Sequence, residues 1–148
     1  MKIAIVYSSI HHGNTKKVVE AIKDELGVEL IKVQEASSKD LSQYDVIGLA
    51  SGIYMAKCHD QILKFIEESN VLNNNKKVFL LITSGSNSKK YGQKEQVMLE
   101  DKKCEFLGTY RCKGYDTYSI FKWIGGIAKG HPNDQDIKGA IEFVKQLK

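Results

Sequence analysis

No stretch of this chain approaches the roughly 20 uninterrupted apolar residues that a membrane-spanning helix needs. The first residues, Met1-Lys2-Ile3, run straight into an apolar segment. They lack a charged leader, a short apolar run and a small-residue cleavage site, so a cytoplasmic location is expected. Cysteine is sparse: Cys58, Cys104 and Cys112 form no C-x-x-C pair, and their odd number without a secretion signal excludes a disulfide framework. Reduced, partly buried thiols are the expectation. Arginine occurs once, at Arg111, and the lysines are scattered in pairs such as Lys16-Lys17, Lys76-Lys77, Lys89-Lys90 and Lys102-Lys103. A nucleic-acid surface calls for a concentrated basic stripe, so nucleic acid is not an expected partner.

What is present is ordinary for a globular chain. Hydrophobic residues make up 42% and charged residues 27% of 148 residues, with a formal net charge of +4. That size gives one domain, residues 1–148, with a substantial core. No internal repeat or low-complexity linker divides it.

Apolar runs alternate with amphipathic segments. Residues 2–7, 28–33, 46–50 and 78–83 read as strands, and the continuous apolarity of 46–50 and 78–82 suits strands covered on both faces. Residues 104–112 alternate, as an edge strand does. Residues 14–26 read as a helix, with Val18, Val19, Ala21, Ile22 and Leu26 on one side and Gly27 at its end. A second helix runs from His59 or Asp60 to Ser69, and a weaker third over 93–103 is anchored by Val97, Met98 and Leu99. The last opens at His131-Pro132-Asn133, where Asn133 and Asp136 have the spacing of a capping box. Residues 35–43 read as a polar connection, 51–58 as a loop, and 113–130 as a long irregular stretch carrying Tyr115, Tyr118, Phe121 and Trp123. Alternating strands and helices imply an α/β fold, a parallel sheet with helices on both faces.

In such sheets ligands bind beyond the carboxyl ends of the strands, where strand order reverses. The segments leaving those ends share a character. The first, residues 8–15, offers neutral donors from Ser8, Ser9, Asn14 and Thr15, ring N–H groups from His11 or His12, and the helix that follows Gly13. That combination suits a phosphate monoester, because a helix N-terminus presents free N–H groups and a positive dipole end. The second is residues 51–58, and the third, residues 84–90, continues to Tyr91-Gly92. Several chemistries are excluded by what these segments lack. The first loop has no G-x-G-x-x-G, no G-x-x-x-x-G-K-[ST] and no C-x5-R. A phosphoacceptor domain needs an acidic cluster and an aspartate at strand ends that here carry Ser8, Ser9 and Ser51. Adjacent His11 and His12 have no Cys, Asp or Glu partner at ligand spacing, so no metal is expected. His59 and His131 read as helix-start polar groups.

The whole chain resembles a short flavodoxin-family protein. The residues carrying the resemblance are Tyr7-Ser8-Ser9 with Gly13-Asn14-Thr15, Ser51-Gly52-Ile53-Tyr54, Thr83-Ser84-Gly85, and the stretch from Gly125 to Asn133. The resemblance implies a three-layer doubly wound sandwich with a five-stranded parallel sheet in order 2-1-3-4-5 and FMN as cofactor. Its phosphate would lie at Ser8, Ser9, His11, His12, Gly13, Asn14 and Thr15. The isoalloxazine would lie between Ser51, Gly52, Ile53 and Tyr54 on one side and Thr83, Ser84 and Gly85 on the other. Tyr54 leads as ring cover, with Tyr91 and Trp123 behind it, and Gly52 is placed to present its peptide to the flavin. One departure stands out. His12 precedes the glycine, and the loop is one residue longer than the family's [ST]-x-T-G-x-T. Gly13, Asn14 and Thr15 therefore carry over first, then Ser8 and Ser9.

The function implied is electron transfer through bound flavin, with a reductase or acceptor protein as partner and no catalytic side chain. Two alternatives stand beside it. One is a small FMN-dependent reductase or oxidase acting on a flat acceptor such as a quinone or protoporphyrinogen. The other is a flavodoxin-like domain that no longer binds FMN.

Overall fold

The structure, a computed structural model, describes residues 1–9, 13–86, 88–114 and 130–147. The elements are β1 (Ile3–Tyr7), α1 (Asn14–Leu26), β2 (Glu29–Lys32), β3 (Val46–Tyr54), β4 (Lys57–Cys58), α2 (Asp60–Glu68), β5 (Lys77–Ser84), α3 (Gln93–Asp101), β6 (Glu105–Lys113) and α4 (Asp134–Gln146). Short 3₁₀ turns at Val33–Ser38 and Leu41–Gln43 occupy the connection between β2 and β3. The long strands lie in the order β2-β1-β3-β5-β6, every neighbouring pair parallel. Counted without the two-residue β4, this is the expected order 2-1-3-4-5.

The strands sit where their composition sends them. All of β1 is buried, and its side chains alternate between two cores. Ala4 and Val6 join Ile47, Leu49, Leu80 and Ile82 beneath α2 and α3, while Ile3, Ile5 and Tyr7 join Val46, Phe79 and Leu81 beneath α1 and α4. The most apolar run of the sequence becomes β5, paired along both edges, and the alternating segment becomes the edge strand β6.

The helices follow the same logic. Val18, Val19 and Ile22 of α1 are buried. Gly27 ends it in the left-handed conformation at φ 69°, its N–H donating to the Lys23 carbonyl, a geometry in which glycine carries no Cβ penalty. The capping box at α4 is formed as the spacing predicts: Asp136 N–H donates to Asn133 Oδ1 at 2.9 Å and Asn133 N–H to Asp136 Oδ2 at 2.8 Å. The hydroxyl of Tyr110 donates to the Asp136 carbonyl at 2.8 Å and fixes α4 against β6.

Three expectations are corrected. Residues 51–58 are a hairpin, not a loop. β3 continues through Tyr54, and β4 returns antiparallel to it, Ile53 opposite Cys58 and Tyr54 opposite Lys57. The two-residue turn is Met55-Ala56, both at positive φ (52° and 68°). Tight hairpins demand that conformation, yet Asn-Gly or Asp-Gly is its usual sequence signal. Secondly, Val97 does not anchor α3: it is 56% exposed, and the buried residues are Glu95 and Leu99, one turn apart. Thirdly, β2 is shorter than 28–33, because Val33 already opens the 3₁₀ turn. The expectations placed on His11, His12, Tyr115, Tyr118, Phe121, Trp123 and residues 125–129 lie outside the described residues.

At the sheet's centre, Gly48 of β3 pairs with Phe79 of β5. A Cβ built on Gly48 would stand 2.4 Å from Phe79 Cζ, so the ring occupies the space a side chain would take. Phe79 is fully buried and meets Phe143 of α4 edge-on at 6.0 Å between centroids. Gly48→Ala should therefore lower stability by about 1–3 kcal/mol through overpacking. Urea unfolding followed by circular dichroism would read this as a lower midpoint, and an unchanged midpoint would mean the ring is free to move aside.

Candidate functional site

Each long strand of a parallel sheet ends on the same edge, and here β1, β3, β5 and β6 bring their carboxyl ends together. Strand order reverses between β1 and β3, the position at which doubly wound sheets open a ligand crevice. The Ser8 N–H donates to the Ala50 carbonyl at 3.0 Å, which extends the β1–β3 ladder into the first loop. Gly13 stands at the N-cap of α1 with φ 65° and nothing within 4 Å of where a Cβ would be. Ser9 Oγ accepts from the Lys16 N–H at 3.0 Å, so Ser9 supplies the side-chain cap that Gly13 lacks. Its own O–H remains a donor. The first turn of α1 holds no acidic residue to oppose an anion.

The hydroxyls of Thr15 and Thr83 lie 3.0 Å apart, both buried, and join α1 to the end of β5. The Gly114 N–H donates to the Ser84 carbonyl at 3.0 Å. A Cβ on Gly114 would stand 2.6 Å from Asn14 Nδ2, so the end of β6 closes directly onto the start of α1.

The hairpin is held from beneath. Ser51, 1% exposed, donates through Oγ to the Gly52 carbonyl at 2.6 Å and accepts from the His59 N–H at 2.9 Å. His59 in turn caps α2 by accepting the Gln61 N–H at its Nδ1, as expected for a helix-start residue. Tyr54 meets the His59 ring edge-on at 5.4 Å, and its hydroxyl lies 3.1 Å from where a Gly52 Cβ would be. Gly52 belongs to β3, opposite Thr83 of β5. Ile53 packs, partly buried, against the α2–α3 core. Tyr91 is half-buried, with Ser86 Oγ 3.1 Å from its hydroxyl and Arg111 Nε donating to its carbonyl at 2.7 Å.

The predicted residues outside 10–12 thus converge on one edge, but they divide into two kinds. Thr15, Thr83 and Ser51 turn their hydroxyls inward to one another or to the hairpin. Ser9, Gly13, Asn14, Tyr54, Gly85 and Tyr91 are only partly buried along the rim.

Sequence reading missed a buried acid. Glu95 of α3 is 1% exposed, and its Oε2 has no hydrogen-bond partner among the described residues. Burial pushes its carboxyl up, while hydrogen bonds from Cys58 and the charge of Lys94 pull in the other direction. Burial and the neighbouring Glu95 likewise push the Cys58 thiol well up. Burial raises the Cys112 thiol to about 12. Cys58, Cys104 and Cys112 are all free and buried, as expected, and these shifts make Cys58 and Cys112 poor nucleophiles. Only one signal pointed to Glu95: it lies at the helical spacing of Leu99, on the same face of α3.

These features define a doubly wound α/β protein whose polar loop residues gather at the β1–β3 switch. A family model described as "Flavodoxin domain" matches residues 4–125. An uncharacterized protein of Methanocaldococcus jannaschii is 42% identical over 99% of this chain and 98% of its own length. Flavodoxin 1 from Bacillus cereus superposes with a TM-score of 0.70, at 19% identity, over 100% of both chains. General stress protein 14 from Treponema denticola, solved in complex with FMN, superposes with a TM-score of 0.68 at 8% identity, again over 100% of both. The chain belongs to the flavodoxin family. No helix among the described residues is long and apolar enough to cross a membrane.

The state of Glu95 is open to measurement. Its folded-state pKa lies above the ordinary carboxyl value, so the fold accommodates the protonated form. The resulting stability is fully present below about pH 4 and is lost as pH rises through the raised value. Glu95→Gln keeps the shape and removes the titration. Urea midpoints taken from acid to neutral pH should fall for the parent protein relative to the variant, whereas parallel profiles would show that Glu95 does not titrate in this range.

Proposed function

We propose that the chain is a cytoplasmic FMN-binding redox protein that passes electrons through bound flavin. The observation carrying this reading is the convergence of the α1 N-terminus, the β3–β4 hairpin and the end of β5 on one crevice, tied together by the Thr15–Thr83 and Ser8–Ala50 hydrogen bonds. Family membership and the FMN complex of a protein with the same fold support it.

The donor set fits the cofactor. A phosphate monoester at the start of α1 would be held by helix N–H groups, the Ser9 hydroxyl and Asn14, with no carboxylate in the first turn to repel it. The flat ring would be held by the hairpin backbone at Gly52 and Ile53 and the segment at Ser84 and Gly85, with Tyr54 and Tyr91 as aromatic cover. Bound FMN supplies the one- and two-electron chemistry. The chain's part is to hold the phosphate, orient the ring and keep water from its buried side. The inward hydroxyls of Ser51, Thr15 and Thr83 serve this by fixing the walls.

A titration separates phosphate recognition from ring recognition. The apoprotein should bind FMN more tightly than riboflavin, measured by flavin fluorescence quenching. Ser9→Ala should weaken FMN by about tenfold or more, the worth of one hydrogen bond to a charged group, and riboflavin far less. Equal losses would move the phosphate away from α1, and failure of FMN to bind at micromolar concentration would overturn the reading. NAD(P)H oxidation with quinone but without an added reductase would favour the enzyme over the carrier.

A further inference from the structure

Charge is unevenly placed on this molecule. Exposed lysines stand along the carboxyl edge on separate segments: Lys16 in the first turn of α1, Lys89 and Lys90 after β5, Lys94 in the first turn of α3, and Lys113 at the end of β6, with half-buried Lys57 on β4 beside them. Lys57 pairs with Asp60 at 3.4 Å, and Lys16 approaches Glu20 at 3.9 Å. Lys17, on the same turn as Lys16, spends its ammonium on the Pro132 carbonyl. Lys89, Lys90, Lys94 and Lys113 have no ion-pair partner among the described residues.

The acids on this edge do little to cancel them. Asp136 is turned into the α4 cap with His131 and Asn133, Glu95 is buried, Asp60 pairs with Lys57, and Asp134 and Glu35 remain exposed. Most other carboxylates stand at the opposite edge, where α1, α2 and α3 end and β2 and β6 begin: Glu25, Glu29, Glu68, Asp101 and Glu105 among them. There they are interleaved with Lys2, Lys23, Lys76, Lys77, Lys102, Lys103 and Lys145. Among the described residues, exposed lysines outnumber exposed carboxylates along the carboxyl edge.

We propose that the carboxyl edge is the docking surface for an acidic electron-carrier protein, held by Lys89, Lys90, Lys94 and Lys113 around the flavin opening. The proposal rests on the flavin reading above. Complementary charge around a cofactor opening steers encounter and sets orientation, and its effect on association rate reaches ten- to a thousandfold. A protein partner is favoured over nucleic acid because the lysines come from several separate segments rather than following one line, and the single arginine nearby, Arg111, is spent on the Tyr91 carbonyl.

The probes are an acidic plant-type [2Fe–2S] ferredoxin and a basic cytochrome c. Association is measured by calorimetry with the apoprotein and with the FMN-loaded protein, and electron transfer from the reduced ferredoxin by stopped flow. Each productive encounter oxidises the cluster by one electron and reduces the flavin by one. The ferredoxin should bind both forms. Its affinity should fall about tenfold or more between about 0.01 and 0.15 M salt, over which the Debye length shrinks from about 30 to about 8 Å. Lys89→Glu combined with Lys90→Glu should lose a similar factor at low salt, whereas Lys145→Glu, at the far end of α4, should change nothing.

Equal binding of the basic cytochrome c, indifference to the Lys89 and Lys90 reversal, or tighter binding of a single-stranded oligonucleotide would each overturn the proposal. Salt-dependent ferredoxin binding by a protein that takes up no FMN would leave the docking surface standing and sink the flavin reading.

Discussion

Parallel pairing of strands buried on both faces is the constraint from which the remaining features follow. Adjacent parallel strands cannot be joined by a tight turn, so each crossover must leave by the carboxyl edge and return along a face. That sends α1 and α4 to one face and α2 and α3 to the other, and it starts every helix beside the ends of β1, β3, β5 and β6. The close meeting of Gly48 and Phe79 lets β3 and β5 carry a full aromatic ring between sheet and helices without spreading the layers. Helix N-termini and polar loop residues are thereby gathered on one edge before any ligand is considered.

That edge is built from two shells of polar groups. The inner one satisfies itself: Thr15 with Thr83, Ser51 with Gly52 and His59, Ser84 with Gly114. Buried hydroxyls that bond one another rigidify a wall, because breaking either partner leaves a desolvated oxygen. Glu95 is the exception, a carboxyl enclosed against Cys58 with one oxygen unpaired among the described residues. The outer shell, with Ser9, Asn14, Tyr54 and Tyr91, is only partly buried along the rim.

Much of this was legible from residue order alone. Continuous apolar runs marked the doubly covered strands, the stripe of Val18, Val19 and Ile22 marked α1, and the spacing of Asn133 and Asp136 marked the α4 cap, because each reflects a local periodicity or a short-range hydrogen bond. The hairpin of β3 and β4 was not legible. Its turn places Met55 and Ala56 at positive φ, a conformation neither residue advertises, and its pairing is set by tertiary contact rather than propensity. Nor was the buried face of α3: Val97 is the apolar residue a pattern selects, yet Glu95 and Leu99 are the ones that turn inward. The convergence of the candidate site residues followed from topology, while which hydroxyls face inward depended on partners remote in the chain, such as Thr83 for Thr15.

The Thr15–Thr83 contact carries one further property. Two hydroxyls share a single bond, and either oxygen can be its donor. The pair owns two hydrogens and uses one internally, so whichever oxygen accepts keeps its own hydrogen for a third group. An anion arriving at the start of α1 would find a hydrogen whose direction is set by rotation about a C–O bond alone. The heavy atoms of the pair stay fixed as part of the wall, while the direction of the bond between them is free to reverse.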